Sequence, residues 1–206
     1  MNSFKYKKNH LFCEGVKVEE ICKNFSTPFY LYSSKTLINN YKLLHKMLNG
    51  INFLIAYSVK ANSNLSVLKT FAKYGAGADV VSIGELKKAL KAGIANNKIV
   101  YSGVGKSKDE IAFALKNKIE QFNVESIEEL KTIAKIAEQI NTSANIALRV
   151  NPDISAGGHP KISTGKKTDK FGIPISDAKN VYELAKKFKS LKIVGIDIHI
   201  GSQIRK

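Results

Sequence analysis

The sequence predicts an α/β fold: a parallel (β/α) barrel of the TIM type, incomplete at about six of the eight βα units that closure requires. Two observations predict it. Strand and helix patterns alternate along the chain with short connections, which is typical of parallel strands joined by right-handed crossovers. Most of the strands also pair an apolar face with a face of small and polar residues. An open doubly wound sheet, which stays the alternative, has two apolar faces.

Each element follows from a local pattern. The first helix has Leu37, Tyr41, Leu44 and Leu48 at helical spacing, and Gly75 ends the second. The segments "SKDE" and "SIEE" are capping boxes that begin two further helices. The predicted helices are 34–48, 65–74, 84–93, one beginning at 107–110, one from 126–129 to about 140, and 176–189. The predicted strands are 52–58, 77–82, 98–103, 120–126, 145–151 and 192–202.

The polar strand faces indicate where a site would lie. Alternate residues of a strand share a face, and Arg149 and His199 fall on the polar faces of their strands. In barrels of parallel strands the apolar faces meet the helices, and the active site lies at the C-terminal strand ends. We therefore expect Lys60, Asp79, Arg149 and His199 to converge there.

The connection 151–174 is the exception to the short loops. It shows no periodicity over its length, and connections this long within compact domains are usually functional or disordered. We therefore expect this connection to be either a functional loop or a disordered one.

Composition limits the function classes. The formal net charge is +16, but only two of the 33 basic residues are arginines, the type preferred for bidentate contacts with nucleic acids. Dispersed lysines favour a solvated surface over a nucleic-acid surface, and their field would also attract an anionic small ligand. No apolar run is long enough for a membrane span. Two cysteines without metal-ligand spacing, and no signal peptide, predict a cytoplasmic protein without a metal site.

Lys60 lies in "AYSVKAN", directly after an apolar run. A lysine at the C-terminal end of a buried strand is expected to be partly desolvated, which disfavours its ammonium form. A neutral amine is the form that Schiff-base chemistry needs. The alternative is an ordinary solvated lysine.

Several segments together resemble the N-terminal half of the diaminopimelate decarboxylases, pyridoxal-phosphate enzymes with an alanine-racemase-like barrel. The resemblance covers residues 10 to 204, nearly the whole chain, with the segments in the family's order. The combination of "HPKISTG", "KFG" and "HIGSQ" indicates the diaminopimelate branch. The segments are "YSVKAN", "GADVVSIGEL", "VYSGVGKS", "FNVES", "LRVNPD", "HPKISTGKKTDKFGI" and "GIDIHIGSQI".

The resemblance implies roles for three residues that would hold the cofactor, pyridoxal 5'-phosphate. Lys60 would form the Schiff base with it, His199 would stack on its pyridine ring, and Ser202 would reach its phosphate. Two of these have structural alternatives. His199 could be a satisfied core histidine, and Ser202 could begin a helix, since serine is a good N-cap.

Further positions are assigned in the same way. Asp79 and Glu85 match acidic positions near the lysine and the ring, and Arg149 matches a position below the cofactor. Alternatively, Asp79 pairs with a lysine, Glu85 stabilises the first turn of its helix, and Arg149 pairs with a buried carboxylate. The substrate loop implied by the resemblance contains His159, Thr164 and Gly165.

The resemblance implies decarboxylation of meso-2,6-diaminopimelate to L-lysine, the last step of lysine biosynthesis, by a homodimer. It divides the chain into an N-terminal segment, 1–28, which would pack with the family's C-terminal β-domain, and a partial cofactor-binding barrel, 29–206. That β-domain, the glycine-rich phosphate loop and the carboxylate partner of the pyridine nitrogen are absent from the sequence. We therefore expect little activity from residues 1–206 alone. The alternatives are a racemase-like or pyridoxal-phosphate-homeostasis barrel, or a non-catalytic truncated product.

Overall fold

A small antiparallel sheet begins the chain in the computed structural model, which describes residues 3–154 and 171–201. Its strands are β1 (Phe4–Lys7), β2 (His10–Cys13) and β3 (Val16–Lys17), followed by the short helix α1 (Val18–Cys22). No element is predicted before residue 28, because strands of two to four residues are too short to show a period. The carboxylate of Glu14 attaches this unit to the next helix by accepting from the Ser33 hydroxyl at 2.8 Å and the Lys35 N–H at 2.9 Å.

The main sheet contains six parallel strands in the order β10-β8-β7-β6-β5-β4, with the two-residue β9 added beside the end of β8. Its strands are β4 (Ala56–Ser58), β5 (Gly77–Val80), β6 (Ile99–Tyr101), β7 (Gln121–Val124), β8 (Ala144–Asn151), β9 (Ile173–Pro174) and β10 (Leu191–Asp197). The longer helices are α2 (Ser34–Met47), α3 (Leu65–Lys73), α4 (Ile83–Lys91), α5 (Lys108–Lys116), α6 (Ile127–Gln139) and α7 (Ile175–Ala185). Within the described ranges β4 and β10 each pair on one side, so the prediction of an incomplete parallel α/β barrel is confirmed.

The core lies between the sheet and the helices. Phe122 and Val124 of β7 and Ile146 and Leu148 of β8 are at most 1% exposed, which confirms the apolar faces predicted for these strands. The prediction fails on β10, where Ile196 remains 54% exposed. β10 is an edge strand of the main sheet, and its apolar side chains Val194 and Ile196 contact solvent.

Serine or asparagine side chains cap α2 to α6, and the sequence indicated two of these caps, at Ser107 and Ser126. The capping box at Ser107 is complete, with reciprocal bonds between Ser107 and Glu110. At Ser126 only half of the predicted box forms. The Ser126 hydroxyl accepts from the Glu129 N–H, but the carboxylate of Glu129 turns inward and accepts from the N–H of Glu125 at 2.9 Å.

Glu110 also connects two helices to the sheet. One carboxylate oxygen accepts from the Ile83 N–H at 2.8 Å and from the Tyr101 hydroxyl at 3.0 Å. The other accepts from the N–H and the hydroxyl of Ser107, both at 2.9 Å. Burial opposes ionisation of this carboxyl, but these hydrogen bonds prevail and lower its pKa to about 2.

We expect Glu110→Gln to lower the free energy of unfolding at pH 7 by roughly 1–3 kcal/mol, because buried donors lose a charged acceptor. A lowered folded-state pKa gives stability that is present above the ordinary pKa of 4.5 and is lost as the pH falls towards 2. Urea unfolding of the variant should therefore show a weaker dependence on pH in this window. Asp109→Asn, an exposed neighbour, is the control. Equal stability of Glu110→Gln and wild type at pH 7 would contradict the account.

Candidate active site

A cavity of about 650 Å³ opens at the C-terminal ends of the parallel strands. The structure brings together four of the predicted site residues in its lining, Lys60, Asp79, Arg149 and His199. Its ionisable lining residues are Lys60, Asp79, Glu125, Arg149, Asp197 and His199. The ionisable side chains therefore come from β5, β8 and β10 and from the residues that follow β4, β7 and β10.

Lys60 lies in a single 3-10 turn, Val59–Ala61, that follows β4. Val59 is fully buried and anchors this turn, whereas Lys60 itself is exposed at the cavity. The expectation of a desolvated lysine is therefore wrong for this structure. The strand ends at Ser58, as predicted, and the turn that follows directs the side chain out of the core.

Asp79 is fixed by hydroxyl groups from neighbouring strands. Its carboxylate accepts from Ser58 at 3.1 Å and from Ser102 at 2.6 Å. The Ser102 oxygen in turn accepts from the amide of Asn123 at 3.1 Å. Hydroxyl donors, rather than the lysine considered from the sequence, are thus the hydrogen-bond partners observed for this carboxylate in the described structure.

Arg149 is held on two sides. Its Nη1 donates to Oε1 of Glu125 at 2.9 Å, and its Cζ lies 5.4 Å from the centre of the Phe171 ring. The buried carboxylate partner considered as an alternative is therefore present. Gly172 has φ +82, and a Cβ there would lie 3.0 Å from the Arg149 carbonyl oxygen, so this close approach of the two segments favours glycine.

Glu125 is the site residue that the sequence analysis missed. Its side chain is 1% exposed, and its Oε1 also accepts from the Gly103 N–H at 3.0 Å. Its Oε2 is buried without a hydrogen-bond partner among the described residues. Such oxygens normally have a donor, and none of the described residues supplies one to this oxygen. Alternation within the predicted strand 120–126 puts Glu125 on the same face as Gln121 and Asn123, which was the available signal.

Asp197 and His199 complete the cavity at the end of β10. Burial raises the pKa of Asp197 against the opposing effect of Arg149, and the carboxylates of Glu125 and Asp79 raise it further. Desolvation and the positive charges of Arg149 and Lys60 lower the pKa of His199. The ring is therefore mainly neutral at pH 7, which suits stacking on an aromatic ligand.

A family model described as pyridoxal-dependent decarboxylase, pyridoxal binding domain, matches residues 34–206. The chain belongs to this family. The resemblance to diaminopimelate decarboxylases is likewise confirmed. The chain is 46% identical over 204 residues to the diaminopimelate decarboxylase of Haemophilus influenzae, covering 99% of this chain and 49% of that protein. The enzyme of Pseudomonas aeruginosa is 45% identical over 204 residues, with the same coverage.

Solved structures give the same result. Diaminopimelate decarboxylase from Helicobacter pylori complexed with L-lysine has a TM-score of 0.89 and 46% identity, over 92% of this chain and 48% of that one. The enzyme from M. jannaschii in co-complex with L-lysine has a TM-score of 0.89 and 37% identity, over 98% and 48%. The chain thus spans about half the length of the relatives it matches.

The cavity of this pyridoxal-dependent decarboxylase domain fits the family's cofactor chemically. An aldehyde requires an amine, which Lys60 offers, and a phosphorylated ligand is favoured by the cations Lys60 and Arg149. The neutral ring of His199 and the fixed acceptor Asp79 suit an aromatic, hydrogen-bonding heterocycle. These side chains therefore contain the donor and acceptor types that pyridoxal phosphate needs.

The remaining predicted residues lie elsewhere. Glu85 accepts from the N–H of Val81 at 2.8 Å at the start of α4, which is the helix-stabilising alternative. His159, Thr164, Gly165 and Ser202 lie outside the described residues, and their roles stay predictions. The described residues contain no group of His, Cys, Asp and Glu that could hold a metal ion. No helix of the described part is both long and apolar enough to cross a membrane.

We expect His199 to titrate below its ordinary pKa of 6.5 in the cofactor-free protein. Lys60→Met should move this pKa upward, because one of the positive charges that oppose protonation is removed. The measurement is a proton NMR titration of the ring, and Lys186→Met, a distant surface change, is the control. A midpoint at or above 6.5 in the wild type would contradict the electrostatics described for the cavity.

Proposed function

We propose that this chain is the cofactor-binding part of a carboxy-lyase that converts meso-2,6-diaminopimelate to L-lysine. The observation that carries the proposal is the position of Lys60, at the C-terminal end of a parallel strand and in one cavity with Arg149, Asp79 and His199. The relatives are diaminopimelate decarboxylases, which supplies the substrate class, and the two solved relatives described above were complexed with L-lysine.

The chain's own residues would bind and orient the cofactor. Lys60 would hold its aldehyde carbon through Nζ, and neutral His199 would stack on its ring. Asp79, whose two oxygens are fixed by Ser58 and Ser102, would give an acceptor that does not move during the reaction. When bound, pyridoxal phosphate supplies the electron sink that decarboxylation requires.

Arg149 would lie below the cofactor, where Glu125 and Phe171 fix the guanidinium. The raised pKa of Asp197 makes this carboxyl a group that can hold a proton at Oδ beside the cavity. Ser202 at the phosphate, and His159, Thr164 and Gly165 in a substrate loop, remain parts of the proposal that rest on the resemblance.

We also propose a domain division, an oligomeric state and a cellular location. The antiparallel unit β1–β3 is separate from the parallel sheet, which supports a division into an N-terminal segment, 1–28, and a partial barrel, 29–206. We propose a homodimer as the full-length form and the cytoplasm as its location, with the free thiols Cys13 and Cys22 supporting a reducing compartment. The 206-residue chain should bind the cofactor but show little turnover by itself.

The cofactor proposal predicts a single modified lysine. After incubation with pyridoxal phosphate and reduction with borohydride, peptide mass spectrometry should find the label on Lys60. Lys60→Met should abolish this label, while Lys69→Met, an exposed lysine on α3, should leave it unchanged. Equal labelling of several surface lysines, or none in the wild type, would overturn the proposal.

The substrate proposal is tested on the loaded protein. Addition of meso-2,6-diaminopimelate should change the absorption spectrum of the bound cofactor, because the substrate amine competes with Lys60 for it. L-Ornithine, a shorter amino acid with one carboxylate, is the matched comparison and should produce a weaker change. A stronger response to L-ornithine would assign the site to another amino acid.

A further inference from the structure

Lys106 is a buried cation outside the cavity lining. Its side chain is 1% exposed, although it follows a turn and belongs to no strand or helix. Its Nζ donates to the carbonyl of Gly103 at 2.7 Å, to the carbonyl of Asn123 at 2.8 Å and to Oε1 of Glu129 at 2.5 Å. An ammonium has three donors, so the observed partners use its full capacity and fix its position.

These partners belong to different elements. Gly103 follows β6, Asn123 lies in β7, and Glu129 lies in the first turn of α6. Burying an ammonium is unfavourable unless it is paired and hydrogen-bonded. Lys106 therefore connects the turn after β6, the strand β7 and the start of α6 at the point where they form the cavity wall.

The network continues from Lys106 to the cavity through two carboxylates. The second oxygen of Glu129 accepts from the backbone N–H of Glu125 at 2.9 Å. The side chain of Glu125 then accepts from Arg149 at 2.9 Å and from the Gly103 N–H at 3.0 Å. Positive and negative groups thus form a connected series of Lys106, Glu129, Glu125 and Arg149.

Both backbone polar groups of Gly103 are hydrogen-bonded. Its carbonyl accepts from Lys106 and its N–H donates to Glu125. Gly103 has φ +99, a conformation that glycine adopts without strain. The preceding residue, Ser102, donates to Asp79 within the cavity. Movement of this turn would therefore disturb both the acidic and the basic sides of the site.

We infer that Lys106 is a positioning residue for the cavity: it fixes the turn at Gly103 and, through Glu129 and Glu125, the guanidinium of Arg149. It does not line the cavity, so it acts through other residues. This inference deepens the proposed function and rests on it for the identity of the ligand.

Removal of Lys106 should have two separable effects. Two neighbouring carboxylates, Glu129 and Glu125, would be left with Arg149 as the remaining cation of the series, which destabilises the fold. Burial already raises the pKa of Glu129 despite the presence of Lys106. The turn at Gly103 would also lose its anchor, which weakens ligand binding by the molecules that remain folded.

Two variants distinguish these effects. Lys106→Met removes the charge and the three hydrogen bonds at similar side-chain length. Lys106→Met combined with Glu129→Gln also removes the opposite charge, while the glutamine oxygen can still accept from Glu125. Lys108→Met, an exposed lysine at the start of α5, is the matched control.

The first measurement needs no ligand. Backbone amide hydrogen exchange at Gly103 and Glu125 should be slow in the wild type and faster by about tenfold or more in Lys106→Met, as expected when a buried hydrogen bond is lost. The double variant should recover stability to urea but keep the fast exchange at Gly103. Wild-type exchange rates in Lys106→Met would overturn the inference.

The second measurement is the affinity of the folded chain for pyridoxal phosphate, followed by its absorption spectrum. We expect a loss of about tenfold in both Lys106 variants, comparable to one lost buried hydrogen bond. If Lys106 only stabilised the fold, its removal would lower stability and leave this affinity unchanged. Full recovery of the affinity in the double variant would likewise contradict a positioning role. Either result would overturn the inference. Failure of the wild type to bind would refute the proposed function, and amide exchange would still decide the role of Lys106.

Discussion

Arg149 and Glu125 bring a guanidinium and a carboxylate to 2.9 Å of each other in the interior of the barrel, where the side chain of Glu125 is 1% exposed. Neither charge would be tolerated there alone, since an unpaired buried charge costs several kcal/mol. The arrangement of the site depends on this pair. The pair sets the position of Arg149, the only arginine in the described residues, and connects β7 to β8. A second hydrogen bond to Glu125, from the Gly103 N–H, holds the turn at Gly103 against the cavity. Phe171 and Gly172 pack against Arg149, and these contacts fix the position of the segment that begins at Phe171.

The parallel sheet explains why these groups meet. Each crossover returns the chain so that the C-terminal end of every strand faces the same side, and residues far apart in sequence become neighbours there. Two hydroxyl groups, from Ser58 in β4 and from Ser102 directly after β6, donate to the carboxylate of Asp79 in β5, and the amide of Asn123 in β7 donates to Ser102. Charged residues occupy the ends of the strands. The resulting cavity contains both cations and carboxylates, so pKa values shift in both directions. The pKa of Asp197 is raised and the pKa of His199 is lowered. Lys60 is exposed at the cavity, which leaves its amine accessible to a ligand.

Much of this could be predicted from the sequence, because it depends on patterns within single segments. Alternation predicted the six parallel strands and their helices, and strand ends predicted that Lys60, Asp79, Arg149 and His199 would meet. Other features depend on tertiary contacts. Lys106 is one lysine among many in a segment without periodicity, and only the fold shows that it is buried. The inward turn of the Glu129 carboxylate depends on Lys106, and the short strands before residue 28 lack enough residues to reveal a pattern. Glu125 was within reach, since alternation placed it inward, but its pairing with Arg149 required the register of β7 and β8.

A double-mutant cycle on Glu125 and Arg149 tests the central claim most directly. The free energies of unfolding would be measured by urea titration for Glu125→Leu, Arg149→Met, the double variant and the wild type. The account predicts that each single variant is strongly destabilised, by about 3–5 kcal/mol, because it strands a buried charge. The double variant should be more stable than the sum of the single effects by roughly 2 kcal/mol or more, near the upper part of the range for coupled residues. Additive effects, within about 0.5 kcal/mol, would show that the two charges do not depend on each other and would contradict the account.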